Sequence, residues 1–413
     1  MVEQELFTAA LGLTAPWRVA RSEFDKEAGR LDLYLEYPRG ARFACPEPGC
    51  VESRCPVHDT EAKTWRHLDF FQYQAHLHAK VPRVRCPEHG VRMVAVAWAR
   101  PGSGFTLLFE ALLITFATAM PVLQVAKFTG EHDTRIWRVL EHHVGGERAK
   151  LLFTHVERVG VDETAAARGH DYVSVFMDLD EHRVLFVTEG RTGETVQRFA
   201  EDLKAHGGYP EAVGSVSCDM SPAFISGVRE HLSNADITFD RFHIMKQLGE
   251  AVDEVRRDEA KDRPLLLRRT RYLWLTNRAN LTEAKQRELV WLTRPSLQLA
   301  TARAHRWRED FQGFYDQPAD QAEAYLTRWC AGAMRSRLKP VKDFVGMVKR
   351  HWNGILAWHQ SHLTTALLEG TNSLIQAAKA RARGYRNKKY MITIIYLIAA
   401  KLPRPSLWVT HSI

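Results

Sequence analysis

Two aspartates follow hydrophobic runs typical of β-strands. Asp162 comes directly after "VGV", and Asp219 comes directly after "SVSC". At the C-terminal ends of adjacent strands in one sheet, the two carboxylates would project together. Such hard oxygen ligands suit Mg²⁺ or Mn²⁺, and Mg²⁺ keeps several waters, so two or three carboxylates plus phosphate oxygens suffice. We therefore expect a third acid on an element that packs beside these strand ends.

The best candidate for the third acid is Glu369, in the segment "LLEGTNSLIQAAKARARGYRN". Asn372, Gln376, Lys379 and Arg383 follow Glu369 at i+3, i+7, i+10 and i+14, which on a helix forms one polar stripe. The stripe begins with an acid and ends in cations. It predicts metal binding at Glu369 and DNA-backbone contacts from Lys379 and Arg383.

A second cluster of ligating residues lies near the N-terminus, where four of the six cysteines fall between residues 45 and 86. Alternating strands at 31–37 and 75–86 bring these cysteines to strand ends. Two knuckles, "CPEPGC" and "CPEH", would supply the four zinc ligands Cys45, Cys50, Cys86 and His89. Cys55 and His58 are alternative ligands, and buried free thiols are the structural alternative.

Residues 105–145 change to helical periodicity and predict three short helices with a Gly-bearing turn before the last. This arrangement is typical of a helix-turn-helix. On the last helix Arg135, Arg138 and His142 share one face at i, i+3 and i+7, as the side chains of a recognition helix do. Arg135 and Arg138 are therefore predicted to contact DNA. A small helical bundle without DNA-binding function is the alternative.

From residue 155 the pattern becomes α/β, with three strands and then helix, strand, helix, strand and helix. That order permits a ribonuclease-H-like core without requiring it. His243 and Lys246 follow the last strand and are candidates to contact phosphate or a metal-bound water. Residues 264–362 interrupt the order with a basic, tryptophan-rich helical block. Its tryptophans predict either core packing or stacking on unpaired bases.

Charge is unevenly distributed along the chain, whose formal net charge is +8. Residues 160–220 hold 12 acidic and 5 basic residues, whereas residues 254–308 hold 14 basic and 6 acidic ones. Carboxylates hold cations and Lys/Arg hold phosphates, so the pattern favours a metal-dependent enzyme that acts on nucleic acid. The N-terminal segment has acids where a signal peptide has basic residues, and the apolar run 391–400 is too short to span a bilayer. We expect a cytoplasmic location.

Several segments together resemble a known family. "VGVDET", "CDMSPAF", "FDRFHIMK" and "LLEGTNSLIQAAKARARGYRN" resemble signature segments of the DDE transposases of the ISL3 insertion-sequence family. "TWRHLDFF", "HLHAKVPRVRCPEHG" and "WARPGSGFT" resemble the zinc-binding region of that family. The resemblance runs from about residue 40 to residue 400, with the motifs in the expected order.

The resemblance implies an α+β multidomain protein whose ribonuclease-H-like catalytic domain is interrupted by a helical insertion. Asp162, Asp219 and Glu369 match the metal-binding triad of the family. His89 stands where a second cysteine is usual in the family, and "CPEPGC" widens the first knuckle. The implied division of the chain is a zinc-binding module (1–100), a helix-turn-helix (101–150), the first part of the core (151–263), the insertion (264–362) and the final acid helix with a tail (363–413).

The implied activity is two-metal DNA cleavage followed by strand transfer, with Mg²⁺ or Mn²⁺ at the triad and a structural Zn²⁺. The partners would be the double-stranded ends of the transposon and its target, bound by a homodimer or larger synaptic complex at the prokaryotic nucleoid. Two rival functions remain at this point. One is a DNA-binding regulator with an inert catalytic domain, and the other is a cysteine hydrolase that uses Cys218 and His243.

Overall fold

The computed structural model describes residues 3–167, 171–363 and 366–406 of the chain. The chain divides into two compact units. The first contains the residues up to Gly145 together with the segment after Lys401, and the second runs from Gly146 to Lys401. Each unit has its own clusters of buried hydrophobic residues.

The first unit begins with a mixed β-sheet followed by helices. The strands are β1 (Arg18–Asp25), β2 (Arg30–Glu36), β3 (Arg42–Phe43), β4 (Cys55–Arg66), β5 (Gln74–Cys86) and β6 (Gly90–Met93). The helices are α1 (Glu3–Ala10), α2 (Leu107–Ala119), α3 (Val122–Thr129) and α4 (Asp133–Arg148).

The sheet of this unit has the strand order β1-β2-β5-β4-β3, and β6 pairs with β5. Alternation of apolar and polar residues buries one face. Leu31, Leu33 and Leu35 of β2 pack with Leu77 of β5 in the same core cluster. The predicted strands at 31–37 and 75–86 thus correspond to β2 and β5. The knuckle cysteines lie at the end of the sheet where β5 turns into β6.

The three helices α2, α3 and α4 form the predicted helical segment and are joined to the sheet through Arg66. The backbone N–H of Arg66 donates to the Gly104 carbonyl (2.9 Å), and the Thr106 N–H donates to the Arg66 carbonyl (3.0 Å). The Arg66 guanidinium is buried and lies 3.8 Å from the Glu131 carboxylate. Two backbone hydrogen bonds and a buried ion pair therefore hold the helices against the β-sheet of this unit.

The second unit is built on a different sheet. Its strands are β7 (Arg158–Ala165), β8 (Tyr172–Asp178), β9 (Arg183–Glu189), β10 (Ser215–Cys218) and β11 (Asp236–Phe239). They lie in the order β11-β10-β7-β8-β9. Strands β7, β8 and β9 are antiparallel neighbours, whereas β10 pairs in parallel with both β7 and β11.

The helices of this unit lie between and after these strands. They are α5 (Gly193–Ala205), α6 (Pro222–His231), α7 (Arg241–Asp262), α8 (Pro264–Leu267), α9 (Arg271–Leu275), α10 (Glu283–Leu292), α11 (Ala300–Gln312), α12 (Ala319–Met334), α13 (Lys339–Arg350), α14 (Trp352–Leu356), α15 (Trp358–Ser361), α16 (Ala366–Arg381) and α17 (Lys388–Ala399). Short 3₁₀ turns lie at Pro210–Ala212, Arg278–Asn280, Pro295–Leu297 and Gly313–Asp316.

Residues 264–362, the helical block, share one continuous hydrophobic core with the sheet. Leu248 and Val252 of α7 belong to this core together with Trp274 and Trp329 of the block. These two tryptophans are buried, whereas Trp291 is 43% exposed. Most of the tryptophan content of the block therefore serves packing. Among the residues that the structure describes, no helix is long and apolar enough to cross a membrane.

Candidate active site, metal site and DNA-binding elements

Asp162 lies within β7 rather than at its C-terminal end, which corrects the expectation from sequence. The antiparallel ladder with β8 continues past it to Ala165, which pairs with Tyr172. On the other side of β7, however, the parallel ladder with β10 stops at Gly160, paired with Ser217. The edge of β7 beyond Gly160 is therefore not covered by β10.

Asp219 lies where the sequence pattern predicts, one residue past the end of β10. Its Oδ1 accepts a hydrogen bond from the backbone N–H of Ser221 (2.9 Å). Ser221 is the N-cap of α6, and Pro222 occupies the first position of that helix. The strand-to-helix turn thus holds the Asp219 carboxylate at the end of the sheet.

Helix α16 brings Glu369 to the same region by packing closely on β7. A Cβ added at Gly160 would lie 2.5 Å from Leu368 Cδ1, so a larger residue there would force the neighbouring side chains to shift. Asn372 Nδ2 donates to Asp162 Oδ2 (2.8 Å), and Gln376 Nε2 donates to Thr164 Oγ1 (2.6 Å). The predicted polar stripe therefore exists, but at these positions it contacts the edge of β7.

The cationic end of this stripe differs from the prediction. Lys379 Nζ donates to the Ala165 carbonyl (2.7 Å), so its ammonium group ties the helix to the strand. Helix α16 ends at Arg381, and Arg383 has a positive φ of 58°. Gly384 donates its N–H to the Lys379 carbonyl, which closes the helix end. Arg383 consequently lies beyond the helix and not on its polar face, although it is exposed.

Two carboxylates of this cluster, Asp162 and Glu369, have raised pKa values, chiefly through burial and then through neighbouring charges. Burial raises the pKa of Asp162 above its usual range, and the charges of Asp219 and Asp240 add to this effect. Burial likewise raises the pKa of Glu369, helped by the charges of Asp240 and Asp162. Carboxylates from β7, from the end of β10, from the start of α7 and from α16 therefore share one electrostatic site.

Glu163 is a further acid at this site, next in sequence to Asp162. Burial raises its pKa to about 7, and the charges of Asp219 and Asp162 contribute, while Arg191 lowers it. Arg191 Nη1 lies 3.9 Å from the Glu163 carboxylate. A carboxyl group with such a pKa is half protonated near neutrality unless a cation joins the cluster.

Sequence reasoning missed Asp240, which is buried and caps the N-terminus of α7. Its Oδ2 lies 3.0 Å from His243 Nδ1. This hydrogen bond raises the pKa of His243, and the charges of Asp240, Asp162 and Asp219 act in the same direction. The Asp-x-x-His spacing at a helix start was the available signal, since an N-cap acid and a residue three positions later are neighbours. Lys246, one turn farther, is exposed.

The composition of the cluster fits a hard divalent cation. Two of its oxygens, Glu369 Oε1 and Asn372 Oδ1, are buried without a hydrogen-bond partner within the described ranges of the chain. Buried acceptors without partners are costly, and neighbouring carboxylates repel one another. A magnesium or manganese ion would relieve both costs, because it takes oxygen ligands.

Cys218 does not fit a nucleophile. It is fully buried at the end of β10, within the main core cluster. Burial, together with the charge of Asp219, raises the pKa of its thiol far above the usual range. Only the thiolate is a good nucleophile. This correction removes the cysteine-hydrolase alternative.

In the first unit, the four sequence-predicted zinc ligands come together. Their ligating atoms all lie within 4.8 Å of one another in the group Cys45, Cys50, Cys86 and His89. Three of these separations are 3.7 to 3.8 Å. Two sulfurs each about 2.3 Å from zinc at the tetrahedral angle would be about 3.8 Å apart, so the group fits tetrahedral zinc.

The thiols of this group differ in pKa, which is lowered at Cys86 and raised at Cys50. Burial raises the pKa of Cys86, but hydrogen bonds from His89 and from the Glu88 backbone outweigh it and lower the pKa to about 6. The thiolate is the form that binds zinc. Of the alternative ligands, His58 lies 3.2 Å from the Asp59 carboxylate, and neither Cys55 nor His58 is among the four clustered residues.

On the predicted recognition helix α4, the three polar residues differ in their surroundings. Arg135 forms an ion pair with Glu131, donates to the Gly104 carbonyl (3.4 Å) and lies 4.0 Å over the Phe105 ring. Arg138 and His142 are exposed. Arg135 is thus held by the fold of its own unit, whereas Arg138 is free to reach a ligand.

Three family models match consecutive parts of the chain. One described as "Transposase", from the ISL3 family, matches residues 159–395. A second, "Helix-turn-helix domain of transposase family ISL3", matches residues 94–144. A third, "zinc-finger of transposase IS204/IS1001/IS1096/IS1165", matches residues 41–89.

Similar full-length proteins carry corresponding names. "Transposase for insertion sequence element IS1001" of Bordetella parapertussis is 29% identical over 409 residues, covering 94% of this chain and 97% of the relative. "Transposase for insertion sequence element IS1557" of Mycobacterium tuberculosis is 26% identical over 444 residues, covering 98% of each. The similarity therefore spans both units.

Proposed function

The chain belongs to the ISL3 family of transposases and is a DNA transposase with a helix-turn-helix DNA-binding domain. From this premise we propose that it binds the terminal inverted repeats of its insertion sequence and cuts and joins DNA at the carboxylate cluster. Asp162, Asp219 and Glu369 would form the catalytic triad, with Mg²⁺ or Mn²⁺ as the metal.

One observation carries this proposal. Acids from four separate segments converge on one site, and two buried oxygens there, on Glu369 and Asn372, have no partner among the residues that the structure describes. A protein that used this region only as structure would leave like charges and orphaned acceptors together at a cost in stability. A cation-dependent active site accounts for both features.

Bound divalent ions would activate the attacking hydroxyl and stabilise the departing 3′ oxygen during in-line displacement at phosphorus. The residues of the chain would hold and orient these ions. Asp162 and Asp219 would supply carboxylates from the sheet, and Glu369 would supply a third from α16. Asn372 would fix the Asp162 carboxylate through its hydrogen bond. Hydrolysis would free the 3′ end of the transposon, which would then attack target DNA at the same site.

His243 would act on the phosphate. Its Nδ1 is engaged by Asp240, and the surrounding carboxylates favour the protonated ring. A protonated ring leaves Nε2–H able to donate to a phosphate oxygen. Lys246 would contact the DNA backbone nearby as a point charge. Lys379 and Arg383 remain proposed backbone contacts, with Lys379 the weaker candidate because its ammonium is bonded to Ala165.

We further propose that the second unit is a ribonuclease-H-like domain. Antiparallel strands β7 to β9 joined to parallel strands β10 and β11 support this assignment. The helical block 264–362 would be an insertion between the two parts of that domain, 151–263 and 363–413. Residues 1–100 would form the zinc module, with Zn²⁺ bound by the four clustered ligands, and residues 101–150 the helix-turn-helix.

Sequence recognition would belong to the zinc module and the helix-turn-helix, with Arg138 on the base-contacting face and Arg135 in a supporting position. The catalytic domain would hold only the sugar-phosphate backbone. Since two transposon ends must be cut together, we propose a homodimer or larger synaptic complex. Such an enzyme would work at the bacterial nucleoid.

A plasmid that carries the inverted repeats flanking the coding region tests the function. The wild type should cut it with Mg²⁺ or Mn²⁺, whereas Asp219→Asn and Glu369→Gln should bind the ends and leave them uncut. Asp236→Asn is the matched control, because Asp236 is an exposed acid at the opposite end of β11 from Asp240. It should cut like the wild type.

The rival function is a regulator that binds DNA with an inert second unit. A wild type that binds the ends and never cuts them would support the regulator and contradict the transposase proposal. Cleavage that persists in Glu369→Gln would instead remove Glu369 from the triad while leaving the enzymatic function in place.

A further inference from the structure

A cleft of about 590 Å³ opens beside the carboxylate cluster, inside the second unit. Asp240 and Glu369 line it at the catalytic end. Farther along, α7 forms one wall, and α9, the turn at Arg278–Asn280 and α11 of the helical block form the other. The volume lies within the range of about 300 to 1,000 Å³ typical of small-ligand sites. Of the proposed triad, only Glu369 lines this space.

The wall that belongs to α7 offers an aromatic face next to the catalytic acids. Phe242 lies between Asp240 and His243 in sequence, lines the cleft and is 55% exposed. Met245 and Leu275 also line the cleft. More than half of the surface of Phe242 is therefore available to a ligand in the cleft. Flat π-systems such as nucleobases stack on rings of this kind.

The opposite wall presents side-chain amides, one of which, that of Asn277, is held by a hydrogen bond from Arg308. The buried guanidinium of Arg308 donates to the Leu275 carbonyl (2.9 Å) and to Asn277 Oδ1 (3.1 Å). Because Oδ1 of Asn277 accepts from Arg308, its Nδ2 is left as a hydrogen-bond donor at the cleft. Asn280 and Gln312 also line this wall. Every nucleobase carries acceptor atoms at its edge, so a fixed amide donor suits any of them.

Cations at the cleft complete a site for a nucleotide. Lys246 and Arg271 both line it, and both are exposed. Arg271 also lies 3.4 Å from the Asp253 carboxylate, which keeps its guanidinium near the wall. Ammonium and guanidinium groups bind phosphate oxygens. Aromatic face, amide donors and cations therefore occur together in one cleft.

We propose that this cleft binds one unpaired nucleotide of the DNA strand whose phosphate lies at the triad. The inference rests on the proposed function and adds a nucleotide-binding subsite to the proposed active site. The base stacks on Phe242 and meets the amides of Asn277 and its neighbours, while the backbone follows Lys246 toward Asp240 and Glu369. Within a duplex the base faces are already stacked on neighbouring pairs, so only an extruded base can use Phe242.

The helical block gains a role from this arrangement. Without α9 and α11 the cleft would have a single wall, and an extruded base would have no amide partners. The block thus builds half of a nucleotide subsite next to the acids of the sheet.

The test uses the full-length protein and duplexes that carry one transposon end, each lacking a single base at a different position near the cut. On intact DNA, Phe242→Ala should lower the cleavage rate about tenfold, since stacking on one aromatic ring contributes roughly 1 to 3 kcal/mol. On the duplex that lacks the extruded base, wild type and variant should cut at equal rates. At all other positions the tenfold difference should persist.

Two controls keep the result specific. Phe242→Trp should cut faster than Phe242→Ala on intact DNA, because tryptophan restores a stacking face. Tyr209→Ala should change nothing, since Tyr209 is an exposed aromatic residue that does not line the cleft.

Equal cleavage rates for wild type and Phe242→Ala on intact DNA would overturn the inference. A rate difference that persists on every duplex, whichever base is missing, would also overturn it. Inhibition by free nucleoside monophosphates without any position dependence would assign the cleft to a soluble nucleotide and also overturn it. These outcomes leave cleavage itself intact. If the wild type does not cut intact ends, the proposed function itself is contradicted.

Discussion

Asn372 donates a hydrogen bond of 2.8 Å to Asp162, although 210 positions separate the two residues in sequence. The bond joins the helix that carries Glu369 to the strand that carries the first acid. Its geometry fixes the Asp162 carboxylate relative to Glu369, so Asn372 acts as a positioning residue within the proposed triad.

Asn372→Ala should lower cleavage by about 10- to 100-fold, because hydrogen bonds that orient metal ligands have effects of this size. The Mg²⁺ concentration needed for half-maximal cleavage should rise, which separates a positioning role from a loss of folded protein. Ser373→Ala is the matched control, since Ser373 is exposed on the same helix. Unchanged magnesium dependence in Asn372→Ala would show that the Asp162 carboxylate does not need this bond.

The sequence predicts the secondary structure around the site well, because its signals are local. Alternation predicts strands such as β2 and β5, and the Ser221-Pro222 pair predicts the start of α6. The placement of Asp162 at a strand end was wrong for a reason that lies outside β7. The β10 side of β7 is open beyond Gly160 because the ladder with β10 stops there. Local alternation of apolar and polar residues does not show where pairing with a distant strand stops.

The parts of the site that were missed depend on tertiary contacts. Asp240 reads in sequence as an ordinary helix cap, and only its hydrogen bond to His243 beside the other acids gives it a place in the cluster. The stripe on α16 was identified, but its contacts with Thr164 and Ala165 arise only because Gly160 lets the helix approach β7. The stripe in the sequence extends to Arg383, but α16 ends at Arg381, so Arg383 lies beyond the helix.

The stability of the protein without added magnesium should depend on pH through Glu163. Its pKa rises from 4.5 to about 7 in the folded chain, chiefly through burial. The native state therefore holds a proton that the unfolded state has lost between about pH 4.5 and 7. The contribution to the free energy of unfolding is fully present below pH 4.5 and is lost as pH rises through 7. Urea unfolding at a series of pH values should show this decline.

Glu163→Gln should flatten the decline, and the exposed acid Glu201 provides the control variant Glu201→Gln, which should retain it. Added Mg²⁺ should oppose the decline at high pH, because metal ligands must be deprotonated and binding releases protons. A profile that is equally steep in Glu163→Gln would show that other groups cause the decline.

Removal of one zinc ligand should impair the first unit, which holds the zinc ligands and is proposed to bind the transposon ends. Cys86→Ala should lose the bound zinc and the binding of transposon ends, because structural zinc sites stabilise small modules directly. Cys55→Ala and His58→Ala should retain one zinc per chain, since neither residue lies in the ligand group. Metal content by mass spectrometry under native conditions measures the outcome. Loss of zinc from Cys55→Ala comparable to that from Cys86→Ala would assign Cys55 to the ligand set.

The two arginines of helix α4 should respond to substitution in opposite ways. Arg138 is exposed, so Arg138→Ala should weaken binding of transposon ends and leave the melting temperature unchanged. If Arg138 contacts a phosphate, the slope of the logarithm of the binding constant against the logarithm of salt concentration should fall by about 1.

Arg135→Ala should instead lower the melting temperature, because it removes the ion pair with Glu131 and the packing on Phe105. The Glu131 side chain is only 9% exposed, and burial already raises its pKa, so loss of Arg135 leaves this buried acid with only the longer 3.8 Å contact to Arg66. DNA binding by the folded fraction should keep the wild-type salt slope. A reduced salt slope in folded Arg135→Ala would place this arginine on the DNA after all, and the ion pair would then have to open on binding.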